Sequence, residues 1–299
     1  MKKYVFLFVP GGLNDILATL DRMLKYCKRN NRILLFDMKN TLYNINFANY
    51  FDIDDKYIIY DSNEIKNIIF FINNVTLYPT NLNANIKDIS ELFYNFYKGK
   101  KKTQHDEHNS NIFKYNKGKF SINGVTLKLP SKEIKNDIII YATGGGGHIG
   151  FNIFKSIILK NNIKSHIKEN MSLLPKNYLS IQVRNTDLKC NLELLYNQNK
   201  DIIHSYDYIY LSTDHKQSID FLKSKNLNVF CFNTFPETGR KELHYSNIDP
   251  DIKIKDVFTD IFIVTNSKLL LSNSKGGFIY LLRKCNSKEK KQFVLSKLN

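Results

Sequence analysis

The sequence has no tryptophan and, in 299 residues, only four cysteines and six prolines. Cys27, Cys190, Cys231 and Cys285 stand far apart, with no Cys-x-x-Cys pair and no Cys/His grouping at ligand spacing. That excludes a disulfide scaffold and a zinc module, and reads as reduced thiols in a cytoplasmic protein. Acidic residues are also scarce: 28 Asp and Glu face 44 Lys and Arg, a formal net charge of +16. The basic residues are scattered rather than gathered on one helix, and no nucleic-acid-binding signature occurs, so no nucleic-acid partner is expected. Much of this lysine reads as solvated surface; the rest suits attraction to an anionic membrane, a nucleotide donor or an acidic glycan. No apolar run approaches the ~20 residues of a membrane span. The opening Met1-Lys-Lys-Tyr-Val-Phe-Leu-Phe-Val-Pro10 has too short an apolar core for a signal peptide and runs into Gly11-Gly12 without a cleavage site. The expectation is a soluble protein, at most peripheral at the inner face of the membrane.

What is present is ample apolar sequence, 42% of residues with 13% aromatic, enough for real cores. Residues 4–9 form a strand candidate, Pro10-Gly11-Gly12 a tight turn, and 15–30 a helix with Ile16, Leu17, Leu20, Met23, Leu24 and Cys27 on one face. With the strand candidate 32–37 this makes a βαβ unit, whose glycine turn lies where amides can meet a phosphate at a helix N-terminus. A helix is predicted near 86–97, and 98–118 reads as the least structured stretch. There His105 and His108, beside Asp106 and Glu107, read as a solvated loop rather than a metal cluster. Residues 137–142 are a further strand, opening into Thr143-Gly144-Gly145-Gly146-Gly147-His148, a loop or hinge. One helix is predicted over 151–170, with a division between two domains, 1–170 and 171–299. The C-terminal half then alternates: strands at 179–184, 207–212, 228–232 and 268–272, helices near 191–199, 215–225, 253–266 and 277–284. Such alternation predicts a parallel α/β sheet.

Three of those strands end on polar residues suited to a nucleoside diphosphate. Leu179-Ser-Ile-Gln-Val-Arg-Asn-Thr-Asp187 stops on Arg184, Thr186 and Asp187. Tyr208-Ile-Tyr-Leu-Ser-Thr-Asp214 stops on Ser212, Thr213 and Asp214. Leu269-Leu-Leu-Ser-Asn-Ser-Lys-Gly-Gly277 gives hydroxyls, a lysine and glycines. Ligands of open α/β sheets sit beyond the carboxyl ends of the strands, so three such endings in order point to one pocket. A departing diphosphate needs its charge carried: Arg184 supplies a guanidinium fork, and Ser272, Ser274, Lys275, Gly276 and Gly277 a cradle. Asp214 and Asp260 are candidates to hold ribose or base. Asp52-Ile53-Asp54 and Asp249-Pro250-Asp251 carry the Asp-x-Asp pattern of some metal-dependent transferases, but no metal is expected.

These peptides resemble the fucosyltransferase superfamily, which contains the α1,2-, α1,6- and protein O-fucosyltransferases; the nodulation type looks nearest. Gly11 to Asp37 is similar to the family's opening. Gln182-Val-Arg-Asn-Thr-Asp187 is similar to its His-Val-Arg-Arg-Thr-Asp peptide, and Tyr210-Leu-Ser-Thr-Asp214 to its Tyr-Leu-Ala-Thr-Asp segment. Asp260 to Gly277 parallels the third peptide. The resemblance covers 4–37 and 179–282. It implies an α/β GT-B fold of two Rossmann-like domains facing across a cleft, the N-terminal one on the acceptor side and the C-terminal one on the donor side. It also implies inverting transfer from a GDP-sugar to a glycan acceptor, with no metal and no further cofactor; the expected setting is bacterial capsule or lipopolysaccharide synthesis. Arg184 would bind the β-phosphate, Asp214 and Asp260 the nucleoside, and Gly11 and Gly12 the diphosphate; Gln182 and Thr213 join the donor site. Asp187 is the positional candidate for the base. Gln182 replaces the family histidine, Asn185 its second arginine, and Lys275 a frequent serine. These departures leave open which sugar is carried. They also leave open a binding protein without turnover, or a donor built on UDP or CMP.

Overall fold

Tyr4–Phe8 is buried along almost its whole length because it is the central strand of a five-stranded parallel sheet. The sheet order is Ile58–Ile59, Ile33–Phe36, Tyr4–Phe8, Ile138–Ala142, Leu77–Tyr78, and Phe6 sits in register with Leu35 on one side and Ile140 on the other. The computed structural model describes residues 2–72, 74–82, 85–98, 113–116, 119–144, 149–185, 190–235 and 248–299. The chain divides into two compact units, Met1–Ile158 and Leu159–Asn299.

In the first unit the predicted βαβ element is present, with the helix at Leu13–Arg29. Its apolar stripe is buried, while Asp15 in the first turn and Lys28 and Arg29 in the last suit the helix dipole. The helix Ser62–Phe71 is capped by Asp61, whose carboxylate accepts from Asn63 N (2.8 Å) and Glu64 N (3.0 Å). It packs Ile65 and Ile69 on the sheet beside Ile86 and Ile89 of the helix Ile86–Lys98. Part of the stretch expected to lack structure is ordered: Phe113–Asn116 is the edge of a three-stranded antiparallel sheet with Lys119–Ile122 and Val125–Thr126. Asn123 and Gly124, both at positive φ (49° and 78°), make the turn, as an Asn-Gly pair does in tight hairpins. His105, His108 and the glycines 145–147 lie outside the described residues.

The single helix expected over 151–170 is a helix Phe151–Ser156, a strand Ile157–Leu159 and a helix Asn161–Ser172. The β-branched pair Ile157-Ile158 takes the chain into an extended path, burying Ile157 and Leu159 and exposing Ile158. The predicted domain division at 170/171 therefore falls inside a helix of the second unit. Ile163 and Ile167 of that helix are buried, and it packs on the helix Pro250–Asn266.

The second unit is a four-stranded parallel sheet ordered Asn228–Phe230, Tyr208–Thr213, Leu179–Val183, Leu269–Leu271. Every residue of Leu179–Val183 is buried, and the helix Pro250–Asn266 is buried over most of its length, as apolar runs without amphipathic relief demand. Short helices at Leu192–Gln198, Lys200–His204 and Gln217–Lys223, and longer ones at Gly277–Asn286 and Lys288–Ser296, complete it.

Candidate functional site

Strand order reverses at Leu179–Val183: the next two strands in sequence lie on one side of it and Leu269–Leu271 on the other. Beyond the carboxyl ends of these two strands lies the switch point where such sheets take ligands, and four predicted residues meet there. The Arg184 backbone N–H donates to Ser274 Oγ (3.0 Å), Ser274 N–H to Ser272 Oγ (3.0 Å), and Ser272 Oγ to Gln182 Oε1 (2.9 Å). Gln182 is buried in the strand, so its amide ties the two strand ends together from beneath. Arg283 Nη2 donates to Ser272 O (2.8 Å), fixing the same turn from the helix that follows it.

That turn continues through exposed Lys275 to Gly276, at φ +140°, a conformation that side-chain-bearing residues rarely adopt. Gly276 precedes the helix Gly277–Asn286, whose first turn has no side-chain cap. Its first-turn amides and positive dipole end favour an anion.

On the other flank, Asn185 N donates to Asp214 Oδ1 (2.8 Å), joining the end of Leu179–Val183 to that of Tyr208–Thr213. Cys190 N donates to Arg184 O (3.0 Å), and its thiol sits against Asn273 Oδ1. Asp187 and Thr186 lie outside the described residues, as does His148. Thr213 N donates to Asn233 Oδ1 (3.3 Å), and Thr213 Oγ1 accepts from His215 N (3.2 Å).

Asp260 sits below this edge, 5% exposed. It accepts from Tyr210 OH (2.6 Å), Ser212 Oγ (2.8 Å) and Asn233 Nδ2 (3.0 Å). Burial lifts its carboxyl to about 7, against the pull of those three hydrogen bonds. Burial and the neighbouring carboxylate push the Tyr210 phenol well up, so it stays protonated and donates. Expected as a direct acceptor from a nucleoside, Asp260 is placed here as the post on which the Tyr208–Thr213 strand end and Asn233 are hung. One turn earlier on the same helix, Asp256 accepts from Thr234 N (2.7 Å).

Tyr210, Asn233, Asp256 and Arg283 were not singled out from the sequence. Tyr210 and Ser212 share a face of one strand, and Asp256 and Asp260 stand four apart in an apolar helix. Polar groups at matched spacing inside buried runs were the available signal. Asp249 of the Asp-x-Asp peptide caps the helix Pro250–Asn266, accepting from Asp251 N (2.7 Å). Asp52, the middle residue of the short strand Phe51–Ile53, accepts from Tyr60 OH (3.4 Å).

Gly11 and Gly12 belong to the first unit, at the carboxyl end of its central strand. A Cβ on Gly11 would lie 3.1 Å from Asp15 Cβ and 3.4 Å from Gly144 O, so the two glycine-containing turns after Tyr4–Phe8 and Ile138–Ala142 are neighbours. Nothing lies within 4 Å of a Cβ on Gly12, which starts the helix Leu13–Arg29 without a side-chain cap. Beside them Gly150 donates its N–H to buried Asn14 Oδ1 (2.9 Å). A Cβ there would overlap Leu17 Cβ and lie 3.0 Å from Ala18 N. That close approach seats the helix Phe151–Ser156 on Leu13–Arg29.

No protein-family model matches the sequence, and no curated protein sequence does either. Solved structures do match. The fucosyltransferase NodZ from Bradyrhizobium aligns over 95% of this chain and 92% of its own, with a TM-score of 0.58 and 15% identity. NodZ alpha-1,6-fucosyltransferase co-crystallized with GDP gives the same coverage at a TM-score of 0.57 and 15% identity, and the form soaked with GDP-fucose 0.57 and 16%. The likeness shows the fold: an α/β chain of GT-B type, with a parallel sheet in each unit.

Proposed function

We propose that this chain is a glycosyltransferase that moves fucose or a related sugar from a GDP-sugar to a glycan acceptor, with inversion and without a metal. The observation that carries the proposal is the switch-point edge of the second unit. There the Arg184 backbone, Gln182 and the Ser272–Ser274 turn form one hydrogen-bonded group, and the helix Gly277–Asn286 that follows is tied to it through Arg283. The likeness in fold to a fucosyltransferase co-crystallized with GDP supports the choice of donor.

In the reaction, the acceptor hydroxyl loses its proton to a base, assigned by position to Asp187, and its oxygen attacks the anomeric carbon. The bond from that carbon to the β-phosphate oxygen breaks, and GDP leaves with the added negative charge. The Arg184 guanidinium, Lys275 and the amides at Gly276 and Gly277 stabilise that charge; such fixed donors act most strongly where water is excluded. Asp214 and Thr213 are assigned to the nucleoside, with Asp260 holding their strand end in place. Gly11 and Gly12 are assigned to the diphosphate through their backbone amides. The acceptor assigned is a lipid-linked or core oligosaccharide of bacterial surface polysaccharide synthesis, in the cytoplasm. Transfer or hydrolysis of labelled GDP-fucose and GDP-mannose in the presence of a chelator tests this reading. Turnover by the wild type, with a loss of 100-fold or so or more in Arg184→Ala, is expected. Equal turnover by both would discard the role of Arg184.

One observation favours a second reading, donor binding without turnover. Gln182 stands where the resembled family has histidine, and its side chain is buried against Ser272. GDP binding with no turnover of any GDP-sugar would select it.

A further inference from the structure

In a parallel sheet all strands begin at one end, and the helices between them return to that end. In the first unit this pole gathers Lys2 and Lys3 before Tyr4–Phe8, Lys28 and Arg29 at the end of the helix Leu13–Arg29, and Lys56 before Ile58–Ile59. A cavity of about 730 Å3 opens there, lined by Lys2, Lys3, Arg32, Lys56 and Glu133 among others. Arg32 lies beneath it, 1% exposed, and its guanidinium donates to Ile134 O (2.7 Å), Asn136 O (2.9 Å) and Tyr4 O (3.5 Å). Carbonyls hold it, so its charge stays in the pole. Two nearby carboxylates are already engaged, Asp55 with Lys28 and Asp137 with Thr76 N (2.9 Å) and Oγ1 (2.8 Å).

The helix Ser62–Phe71 ends at the same pole: Ile68 and Ile72 pack in one cluster with Tyr4, Ile33 and Leu77. Its last two residues, Phe70 and Phe71, are 62% and 74% exposed. Their rings meet edge to face at 5.2 Å, and Lys87 Nζ lies 4.7 Å from the Phe70 ring centroid. Adjacent exposed aromatic rings amid lysines match what binds the boundary between headgroups and acyl chains of an anionic bilayer.

We propose that this pole seats the protein on an anionic phospholipid surface. Phe70 and Phe71 enter the boundary layer, and Lys2, Lys3 and Lys56 face the lipid phosphates. The glycine turn at Gly11-Gly12, at the opposite end of the same sheet, then points away from the lipid. The proposal rests on this surface and not on the transferase reading.

The test is co-sedimentation of the full chain with vesicles of phosphatidylcholine alone and of phosphatidylcholine with phosphatidylglycerol, at low and at high salt. The wild type is expected to bind the anionic vesicles only, and less at high salt. Phe70→Ser with Phe71→Ser should weaken binding by roughly tenfold or more, and Lys2→Glu with Lys3→Glu by at least roughly fivefold for each lysine removed. Phe293→Ser, at an exposed phenylalanine of the other unit, should bind as the wild type does. Melting curves establish that the variants fold. Three results would overturn the proposal: no binding to anionic vesicles, equal binding to both vesicle types, or undiminished binding by the Phe70/Phe71 variant. A protein that binds vesicles but shows no stabilisation by GDP keeps this proposal and sinks the transferase reading; the reverse outcome does the opposite.

Discussion

The carboxyl ends of the two parallel sheets are built from different materials. In the second unit, side chains cross-tie neighbouring strand ends: Gln182 to Ser272, Ser274 to the amide of Arg184, Asp214 to the amide of Asn185, and Asp260 to three donors. In the first unit the ends of Tyr4–Phe8 and Ile138–Ala142 are made by backbone passing close to backbone at Gly11, Gly144 and Gly150, with Asn14 as one polar tie. There the outer pair Ile33–Phe36 and Ile58–Ile59 is tied by side chains, Ser62 Oγ donating to Asp37 Oδ1 (2.6 Å). Cross-tied strand ends hold charged groups in fixed places, which is what stabilising a leaving diphosphate requires. A glycine edge offers amides and room instead. Under the proposed function, chemistry falls to the cross-tied edge and access to the glycine-lined strand ends.

The largest expected effect breaks the cross-tied edge. Asp260→Leu strands Tyr210 OH, Ser212 Oγ and Asn233 Nδ2 without their acceptor, and should lower stability by about 3–6 kcal/mol in denaturant unfolding. The milder Asp260→Asn sharpens the electrostatic side. Asp260 has its folded pKa raised from 3.8 to about 7, so its stabilising contribution is complete below about pH 4 and is lost as pH rises through about 7. The stability difference between wild type and Asp260→Asn should therefore shift by on the order of 4 kcal/mol across that window, in favour of the variant at higher pH. A difference that is flat with pH would mean the carboxylate is ionised in the folded protein throughout.

Gly150→Ala tests the glycine edge. The added methyl overlaps Leu17 Cβ, so a loss of about 1–3 kcal/mol is expected. Ser274→Ala removes the acceptor for the Arg184 amide and should cost about 1 kcal/mol in stability. Its larger consequence should be weaker GDP binding, read by calorimetry. Gly12→Ala should change stability by less than about 0.5 kcal/mol, because the space is open and the backbone (φ −68°, ψ 168°) is ordinary. Should Gly150→Ala prove as mild as Gly12→Ala, close backbone approach would not be what shapes that edge.

Most of the parallel α/β framework was legible in the sequence, because buried strands such as Leu179–Val183 are unbroken apolar runs and Leu13–Arg29 carries a full apolar stripe. The break at Ile157–Leu159 was not, since a short apolar run fits helix and strand alike until its neighbours are known. Ser62–Phe71 and the Asn123-Gly124 hairpin carried local signals, a capping Asp61 and an Asn-Gly turn, that had gone unread. In the site, the strand-end residues Arg184, Asp214, Ser272 and Ser274 could be named from where their runs stop. Their cross-ties could not, because Gln182 with Ser272 or Tyr210 with Asp260 pairs residues distant in sequence and adjacent only once the strand order is set. Arg283 was invisible for the same reason.

The central claim is that the edge at Arg184 holds a guanosine diphosphate. Thermal-shift titration of wild type and Arg184→Ala with GDP, UDP and CMP, in chelator, tests it most directly. A ligand of the native state raises the melting temperature by mass action, by about 2.7 kcal/mol of stability at a hundredfold excess over its dissociation constant. The account predicts stabilisation of the wild type by GDP, little by UDP or CMP, and loss of the GDP effect in Arg184→Ala. Equal GDP stabilisation of both proteins, or no response to GDP, would contradict it.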